Sequence, residues 1–265
     1  VIVVFADSKY LPVLLNWLVG VHRHGIGNYL IVALDRQLHD YLTERGFPSF
    51  LAPLTGSRSD LWILRMNLFH CLCENSINFI HSDADAFWLE NPVPEFFSRN
   101  DCQIIASQGT IWPQDVLEKH GFVLCCGLLY IQACPQNASL LDRMVEDIRE
   151  TGDDQVSFNR VIEREHFHWE YDPARTYRIP VNDQDFLCSP DIIYGTSENG
   201  AYRLAVLPHH LFQRVHMPKN RAYVKHLISF KNSSLEMYRS FETGGCLFLS
   251  PDWQQADFSA DTIER

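Results

Sequence analysis

The first third of the sequence alternates short apolar segments rich in β-branched residues with segments of helical spacing. Three of the apolar segments lead into aspartates, namely Asp7, Asp35 and the pair Asp83 and Asp85. Strands that alternate with helices are typical of an open, mostly parallel α/β sheet, in which ligands bind beyond the carboxyl ends of the strands. The sequence therefore predicts an α/β fold with its binding site among these aspartates.

The chain has 265 residues, without an internal repeat, a low-complexity stretch or a Pro/Gly/Ser-rich linker. We therefore predict one domain covering residues 1–265. Its formal net charge of −11 argues against a broad electrostatic surface for nucleic acid or for an anionic membrane. No apolar run approaches the roughly 20 residues that span a bilayer. The sequence opens directly on a strand-like segment at Val1, which is compatible with an upstream segment that carries a membrane tether.

The strongest motif is Asp83-Ala-Asp85, which follows a predicted buried strand and precedes the apolar residues 87–89. Two carboxylates two residues apart at a strand end point the same way, so they can share one hard divalent cation and leave coordination sites free for phosphate oxygens. A solvated acidic turn is the alternative interpretation of a bare Asp-x-Asp. The apolar flanks favour the metal site.

With its flanks, through Asn91-Pro92, this segment resembles the nucleotide-diphospho-sugar transferase family, of the kind of glycosyltransferase family 77. The resemblance covers most of the chain and includes these further segments: Asn16-Trp17-Leu18, Val32-Ala-Leu-Asp35, Trp62 with Arg65, Asp154-Gln155 with Phe158-Asn159, Leu207-Pro208 with Phe212, and His226 with Lys231. One departure stands out. Where the family usually carries Asn-Ser-Gly, this chain has Cys125-Cys126-Gly127, so the contact of that Asn is lost while the glycine still permits a close backbone approach.

The resemblance implies a GT-A-type, Rossmann-like, mostly parallel sheet flanked by helices. It implies transfer of a sugar from a nucleotide diphosphate, commonly UDP, to a glycan, a glycoprotein or another hydroxyl acceptor, with retention at the anomeric carbon. Residues 1–110 are then expected to bind the nucleotide, and residues 111–265 the sugar and the acceptor. Such an enzyme serves polysaccharide biosynthesis in the bacterial cytoplasm or, behind a tether, works in the Golgi lumen.

Site roles follow from the motifs and the resemblance together. Asp83 and Asp85 are expected to bind Mn²⁺ or Mg²⁺, with His226 as a third ligand that suits Mn²⁺ better. Asp154 is expected to accept hydrogen bonds from the donor sugar and Gln155 to lie near the anomeric carbon. The remaining predicted donor contacts are Asp7, Asp35, Arg65, Asp83, Gly127, Lys225 and Lys231.

Each of these residues also has an ordinary structural interpretation. Asp7, Asp35 and either Asp153 or Asp154 are suited to cap helices, and His226 to a hydrogen-bonded core position. Arg65, Lys225 and Lys231 would then be surface charges or salt-bridge partners. Residue types alone do not separate these interpretations.

Two mechanisms are compatible with retention: double displacement through an enzyme carboxylate, or same-face attack in which the departing phosphate takes the acceptor's proton. We favour same-face attack, because no carboxylate beyond Asp154 stands out as a nucleophile and Asp154 already has a donor-binding role. Two other functions remain as alternatives. One is a transferase-like binding or scaffold domain without activity. The other is a phosphatase of the haloacid-dehalogenase type, although Phe87 stands where that motif normally has Thr or Val.

Overall fold

The computed structural model describes residues 1–99, 101–228, 234–250, 253–254 and 258–263. The strands are β1 (Ile2–Ala6), β2 (Tyr29–Ala33), β3 (Ser49–Leu51), β4 (Phe79–Ser82), β5 (Phe87–Trp88), β6 (Ile104–Gln108), β7 (Leu124–Ile131), β8 (His168–Glu170), β9 (Tyr177–Val181), β10 (Gln184–Cys188), β11 (Ile193–Thr196), β12 (Arg203–Leu207), β13 (Phe212–Gln213) and β14 (Val224–Lys225). The helices are α1 (Leu11–His22), α2 (Arg36–Glu44), α3 (Arg58–Glu74), α4 (Val93–Phe97), α5 (Gln114–His120), α6 (Pro135–Thr151), α7 (Asp154–Arg164) and α8 (Ser234–Thr243). Short 3₁₀ turns cover Ser8–Tyr10 and Pro173–Arg175.

The chain divides into two compact units. The first unit comprises Val1–Leu54, His81–Pro92 and Gln213–Arg265, and the second comprises Thr55–Ile80 and Val93–Phe212. The expected assignment of nucleotide binding to residues 1–110 and of acceptor binding to residues 111–265 stays a prediction.

In the first unit, β3, β2 and β1 lie side by side as parallel strands, and β4 follows β1 in the sheet order. Every residue of β1 is buried, as the β-branched sequence predicts for a strand covered on both faces. α1 packs in this core through Trp17, whose indole nitrogen donates to the Ser82 hydroxyl at 3.1 Å and whose ring meets Trp88 edge-on. β5 pairs antiparallel with β14, with Phe87 opposite Lys225.

A buried asparagine on α1 links it to the far end of the chain. The Asn16 amide nitrogen donates to the Cys246 carbonyl at 2.9 Å. Its side-chain oxygen accepts from the Phe248 and Leu249 amides at 2.6 and 2.9 Å. Since a buried side-chain amide must be satisfied, these three bonds fix segment 246–249 against α1.

In the second unit, the strand order is β7, β6, β12, β11, β8. β6 and β12 are parallel, whereas β7 with β6, β12 with β11, and β11 with β8 are antiparallel. α3 packs against α6, and α6 against α7. β9 and β10 form a separate antiparallel hairpin.

The predicted α/β class is confirmed, and the alternation predicted for the first third of the chain appears as β1, α1, β2, α2, β3, α3 and β4. The antiparallel pairs concentrate in the second unit, where the sequence shows no clear alternation. Within the described residues, the helices are all too short or too polar to cross a bilayer.

Candidate active site

Asp83, Asp85 and His226 come together in the first unit. The Asp pair directly follows β4 and His226 directly follows β14. His226 Nε2 lies 3.2 Å from Asp85 Oδ1 and 3.6 Å from Asp83 Oδ2. One ligand atom from each of the three residues lies within 4.8 Å of the others.

These distances fit a divalent cation. For metal–oxygen bonds of about 2.1 to 2.5 Å, neighbouring ligands of an octahedral ion are separated by about 3.0 to 3.5 Å. Of the two separations from the imidazole nitrogen, 3.2 Å lies within this range and 3.6 Å slightly above it. Two carboxylates and one imidazole form a donor set that suits Mn²⁺ and, less well, Mg²⁺. The three residues can therefore hold the predicted metal ion.

Two further side chains orient the carboxylates. The Tyr10 hydroxyl donates to Asp85 Oδ2 at 3.1 Å, which leaves Oδ1 facing His226. Burial and then the Asp85 carboxylate raise the pKa of Tyr10 far above its usual range, so this phenol keeps its proton and remains a donor. On the other side, His81 is fully buried, with Nε2 3.1 Å from Asp83 Oδ1 and Nδ1 3.1 Å from the Val3 carbonyl.

Asp7 and Asp35 both cap helices. Asp7 accepts from the Tyr10 amide at 2.9 Å at the start of the first 3₁₀ turn. Asp35 caps α2 by accepting from the Leu38 amide at 2.7 Å, and its other oxygen accepts from the Ser8 amide at 2.7 Å. Burial alone would raise the pKa of Asp35, but the amide donors outweigh it and the pKa is lowered. Asp35 is thus a fixed anion beside the end of β1, and contact with a nucleotide stays a prediction for both residues.

Lys225 is not a solvated charge. It lies on β14, is buried, and donates from Nζ to the Gly244 carbonyl at 2.5 Å. Burial lowers the pKa of Lys225. Lys231, the other predicted lysine contact, lies outside the described residues.

Arg65 and Asp154 form a buried ion pair in the second unit. Arg65 projects from α3 and is 3% exposed, and Asp154, the first residue of α7, is 5% exposed. An Arg65 terminal nitrogen donates to Asp154 Oδ2, and the guanidinium lies 4.3 Å from the Trp62 ring centre. The capping role that was an alternative for Asp154 belongs to Asp153, which accepts from the Val156 amide at 2.9 Å.

The neighbours of Asp154 adjoin the same pair. Gln155 donates from Nε2 to the Trp112 carbonyl at 2.6 Å. Gly127 lies inside the fully buried β7, beside Cys126, whose thiol donates to the Asp154 carbonyl at 3.5 Å. Burial and then the Asp154 carboxylate raise the pKa of Cys126 well above its usual range, so the thiol remains a donor. Cys126, which stands where the family usually carries Ser, therefore contacts the residue before Gln155.

Sequence reasoning did not single out Tyr10 and His81. Tyr10 stands three residues after Asp7, and His81 stands two residues before Asp83, within β4. Polar residues next to a strand-end aspartate were the signal that could have identified both. The contact of Gln155 with the Trp112 backbone leaves no trace in the sequence.

Comparisons with known proteins identify the family and the fold of the chain. The family model of nucleotide-diphospho-sugar transferases matches residues 24–238. No curated protein sequence matches the chain. Among solved structures, the galactosyltransferase LgtC, in complex with donor and acceptor sugar analogs, aligns at a TM-score of 0.51 and 12% identity over 97% of this chain and 99% of LgtC.

Two further solved structures are more distant. The glycosyltransferase GlyE of Streptococcus pneumoniae TIGR4 aligns at a TM-score of 0.42 and 14% identity over 62% of this chain, and the match spans 42% of the GlyE chain. A glycosyltransferase involved in glycosylation of the major capsid of PBCV-1 aligns at a TM-score of 0.48 and 10% identity, over 90% of this chain and 98% of that chain. The likeness to LgtC shows the GT-A glycosyltransferase fold.

Proposed function

The chain belongs to the family of nucleotide-diphospho-sugar transferases, and from that premise we propose that it is a metal-dependent, retaining glycosyltransferase. Its donor is a UDP-sugar and its acceptor a hydroxyl group of a glycan or glycoconjugate. The observation that carries the proposal is the convergence of Asp83, Asp85 and His226 at distances that suit one divalent cation. LgtC, which shares the fold, binds donor and acceptor sugar analogs, and this supports a sugar acceptor.

In the first unit, the chain's residues hold the cation and the diphosphate. A cation bound there stabilises the negative charge that develops on the departing diphosphate. Asp83 and Asp85 supply carboxylate oxygens and His226 supplies an imidazole nitrogen. Tyr10 and His81 keep the two carboxylates oriented by hydrogen bonds to their other oxygens. Lys225, and Lys231 by resemblance, contribute positive charge to the diphosphate.

In the second unit, Asp154 and Gln155 bind the donor sugar. Same-face attack forms the bond between the acceptor oxygen and the anomeric carbon on the side from which the diphosphate departs. The bond from the anomeric carbon to the phosphate oxygen breaks, and the acceptor's proton passes to the departing phosphate. The ion pair with Arg65 supports this route, since a carboxylate engaged by a guanidinium is a weaker nucleophile and a better fixed acceptor of hydrogen bonds.

A thermal-unfolding panel with UDP, GDP and CMP, each with and without Mn²⁺, tests the donor assignment. A ligand at 100 times its dissociation constant stabilises the folded state by about 2.7 kcal/mol. For a chain of this size, that corresponds to a rise of about 5 to 11 °C in the unfolding midpoint. We expect UDP with Mn²⁺ to give the largest rise, and no rise with any nucleotide would refute the donor assignment.

The metal site is tested by Asp85→Asn with Asp40→Asn as its control, because Asp40 is an exposed aspartate of the same unit. We expect Asp85→Asn to abolish the Mn²⁺-dependent rise and Mn²⁺-dependent UDP-sugar hydrolysis, and Asp40→Asn to keep both. Normal turnover in Asp85→Asn would contradict the proposal. UDP binding without hydrolysis in the unaltered chain would instead favour the inactive binding domain, and a covalent sugar adduct on Asp154 would favour double displacement.

A further inference from the structure

A groove in the second unit lies between α5 and the β9–β10 hairpin. Its volume is about 560 Å³, within the range of about 300 to 1,000 Å³ typical of small-molecule sites. We propose that this groove binds a neutral carbohydrate as the acceptor, an inference that rests on the proposed transferase function. The polar side chains that carry the argument are Gln114, Glu118, Arg178, Asp183, Gln184 and Asp185.

The groove begins beside the residues proposed to bind the donor sugar. Gln155 donates to the Trp112 carbonyl, and Gln114, two residues further along, lines the groove. At the other end of α5, His120 pairs with Glu163 near the end of α7. The α5 segment is therefore linked to α7 near both of its ends. Since its seven residues rise by about 1.5 Å each, α5 gives the groove a wall about 10 Å long that leads away from Gln155.

The floor of the groove is fixed by hydrogen bonds. Gly121 ends α5 in the left-handed region, with φ of 77°, and its carbonyl accepts from the Leu187 amide at 2.7 Å. The Leu187 carbonyl in turn accepts from the Gln108 side chain on β6. A Cβ at Gly121 would lie 3.2 Å from Leu187 Cβ, so the close approach of helix and hairpin favours glycine there. The groove is thus held open between two connected elements, in the manner of a preformed site.

The chemistry of the lining indicates a neutral, hydroxyl-rich ligand. Among the described residues, the lining includes the carboxylates Glu118, Asp183 and Asp185 against the cations Lys119 and Arg178. Because the three carboxylates outnumber the two cations, the lining disfavours the binding of a phosphate group. Each sugar hydroxyl is both a donor and an acceptor, and the lining offers carboxylates as acceptors, cations as donors and two glutamine amides that are both.

Trp112 lies two residues before Gln114, next to the lining of the groove, and would add an apolar contact at the end nearest Gln155. Its side chain is large and 56% exposed, although the adjoining backbone carbonyl is held by Gln155. An exposed indole ring offers a flat apolar face to the C–H groups of a pyranose ring while its N–H can meet a hydroxyl. In this proposal the Trp112 ring contacts the first sugar of the acceptor, whose hydroxyl group receives the transferred sugar.

Saturation-transfer NMR on the full chain, with lactose, cellobiose and xylobiose as probes, tests this assignment. We expect signal from at least one disaccharide and no competition by inorganic phosphate. Trp112→Ala and Gln184→Ala should each reduce that signal at least fivefold, because both side chains are exposed and their loss leaves the core intact. Asp40→Asn, in the first unit, is the matched surface control and should retain the full disaccharide signal.

Three outcomes would overturn the inference: no signal from any disaccharide, a signal in Trp112→Ala and Gln184→Ala as strong as in the unaltered chain, or displacement of the disaccharide by inorganic phosphate. The UDP and Mn²⁺ unfolding panel on the unaltered chain separates this failure from failure of the proposed function. If UDP raises the unfolding midpoint but no disaccharide contacts the groove, only the proposed acceptor site is refuted. Disaccharide contact without any nucleotide response refutes the transferase function and leaves a carbohydrate-binding groove.

Discussion

Replacing Arg65 by methionine would leave the Asp154 carboxylate buried without its ion-pair partner. Removing one member of a buried pair typically costs about 3 to 5 kcal/mol. Because Asp154 is the first residue of α7, its carboxylate keeps a favourable interaction with the helix dipole, worth up to about 2 kcal/mol. The cost of removing Arg65 therefore lies toward the lower end of that range. Loss of the guanidinium over Trp62 removes a further contribution of about 1 kcal/mol. We expect a net loss of about 3 to 4 kcal/mol.

The measurement is urea unfolding followed by circular dichroism on a double-mutant cycle. Arg65→Met and Asp154→Leu are compared with the double variant, in which no charge is left buried. We expect the double variant to be less destabilised than the sum of the single variants by at least about 2 kcal/mol. The exposed pair Arg36 and Asp40, 3.9 Å apart on α2, is the control and should show a coupling below about 0.5 kcal/mol. Additive single effects at Arg65 and Asp154 would refute the reasoning.

Two further predictions concern single side chains. Tyr10→Phe removes the hydrogen bond to Asp85 while keeping the ring, so we expect Mn²⁺ affinity to fall by about 10- to 100-fold in calorimetric titration; an unchanged affinity would show that Asp85 needs no support from the phenol. Alkylation by iodoacetamide at pH 8, followed by peptide mass spectrometry, should modify the exposed Cys71 first. Burial raises the pKa of Cys246 to about 12, so its thiol stays protonated and we expect it to react only after unfolding; equal rates at both cysteines would contradict this.

Much of the first unit could be predicted from the sequence, because its signals are local. Apolar β-branched runs that end in an aspartate identify β1, β2 and β4, and the strand ends place Asp83 and Asp85 at one edge. His226 is about 140 residues further along the chain. Nothing local connects it to the Asp pair, and only the family resemblance indicated that it would join them.

The second unit was less predictable for physical reasons. β9 and β10 are partly exposed and β9 contains Pro180, so they lack the apolar alternation that identifies a strand. Arg65 and Asp154 were each assigned to the donor separately. Their pairing depends on how α3 and α7 pack within the unit, which residue spacing does not report. The groove beside α5 likewise arises from the meeting of elements about 60 residues apart in sequence.

The three bonds of Asn16 to segment 246–249 have a consequence for synthesis of the chain. Domains generally fold in the order in which they leave the ribosome, at about 5 to 20 residues per second. The second unit ends at Phe212, whereas the first unit, which holds the N-terminal strands, also needs residues beyond it. About 230 residues separate Asn16 from Cys246, so its partners follow it by about 12 to 46 s. The unit that is begun first is therefore completed second, because the partners of Asn16 are synthesised after Phe212.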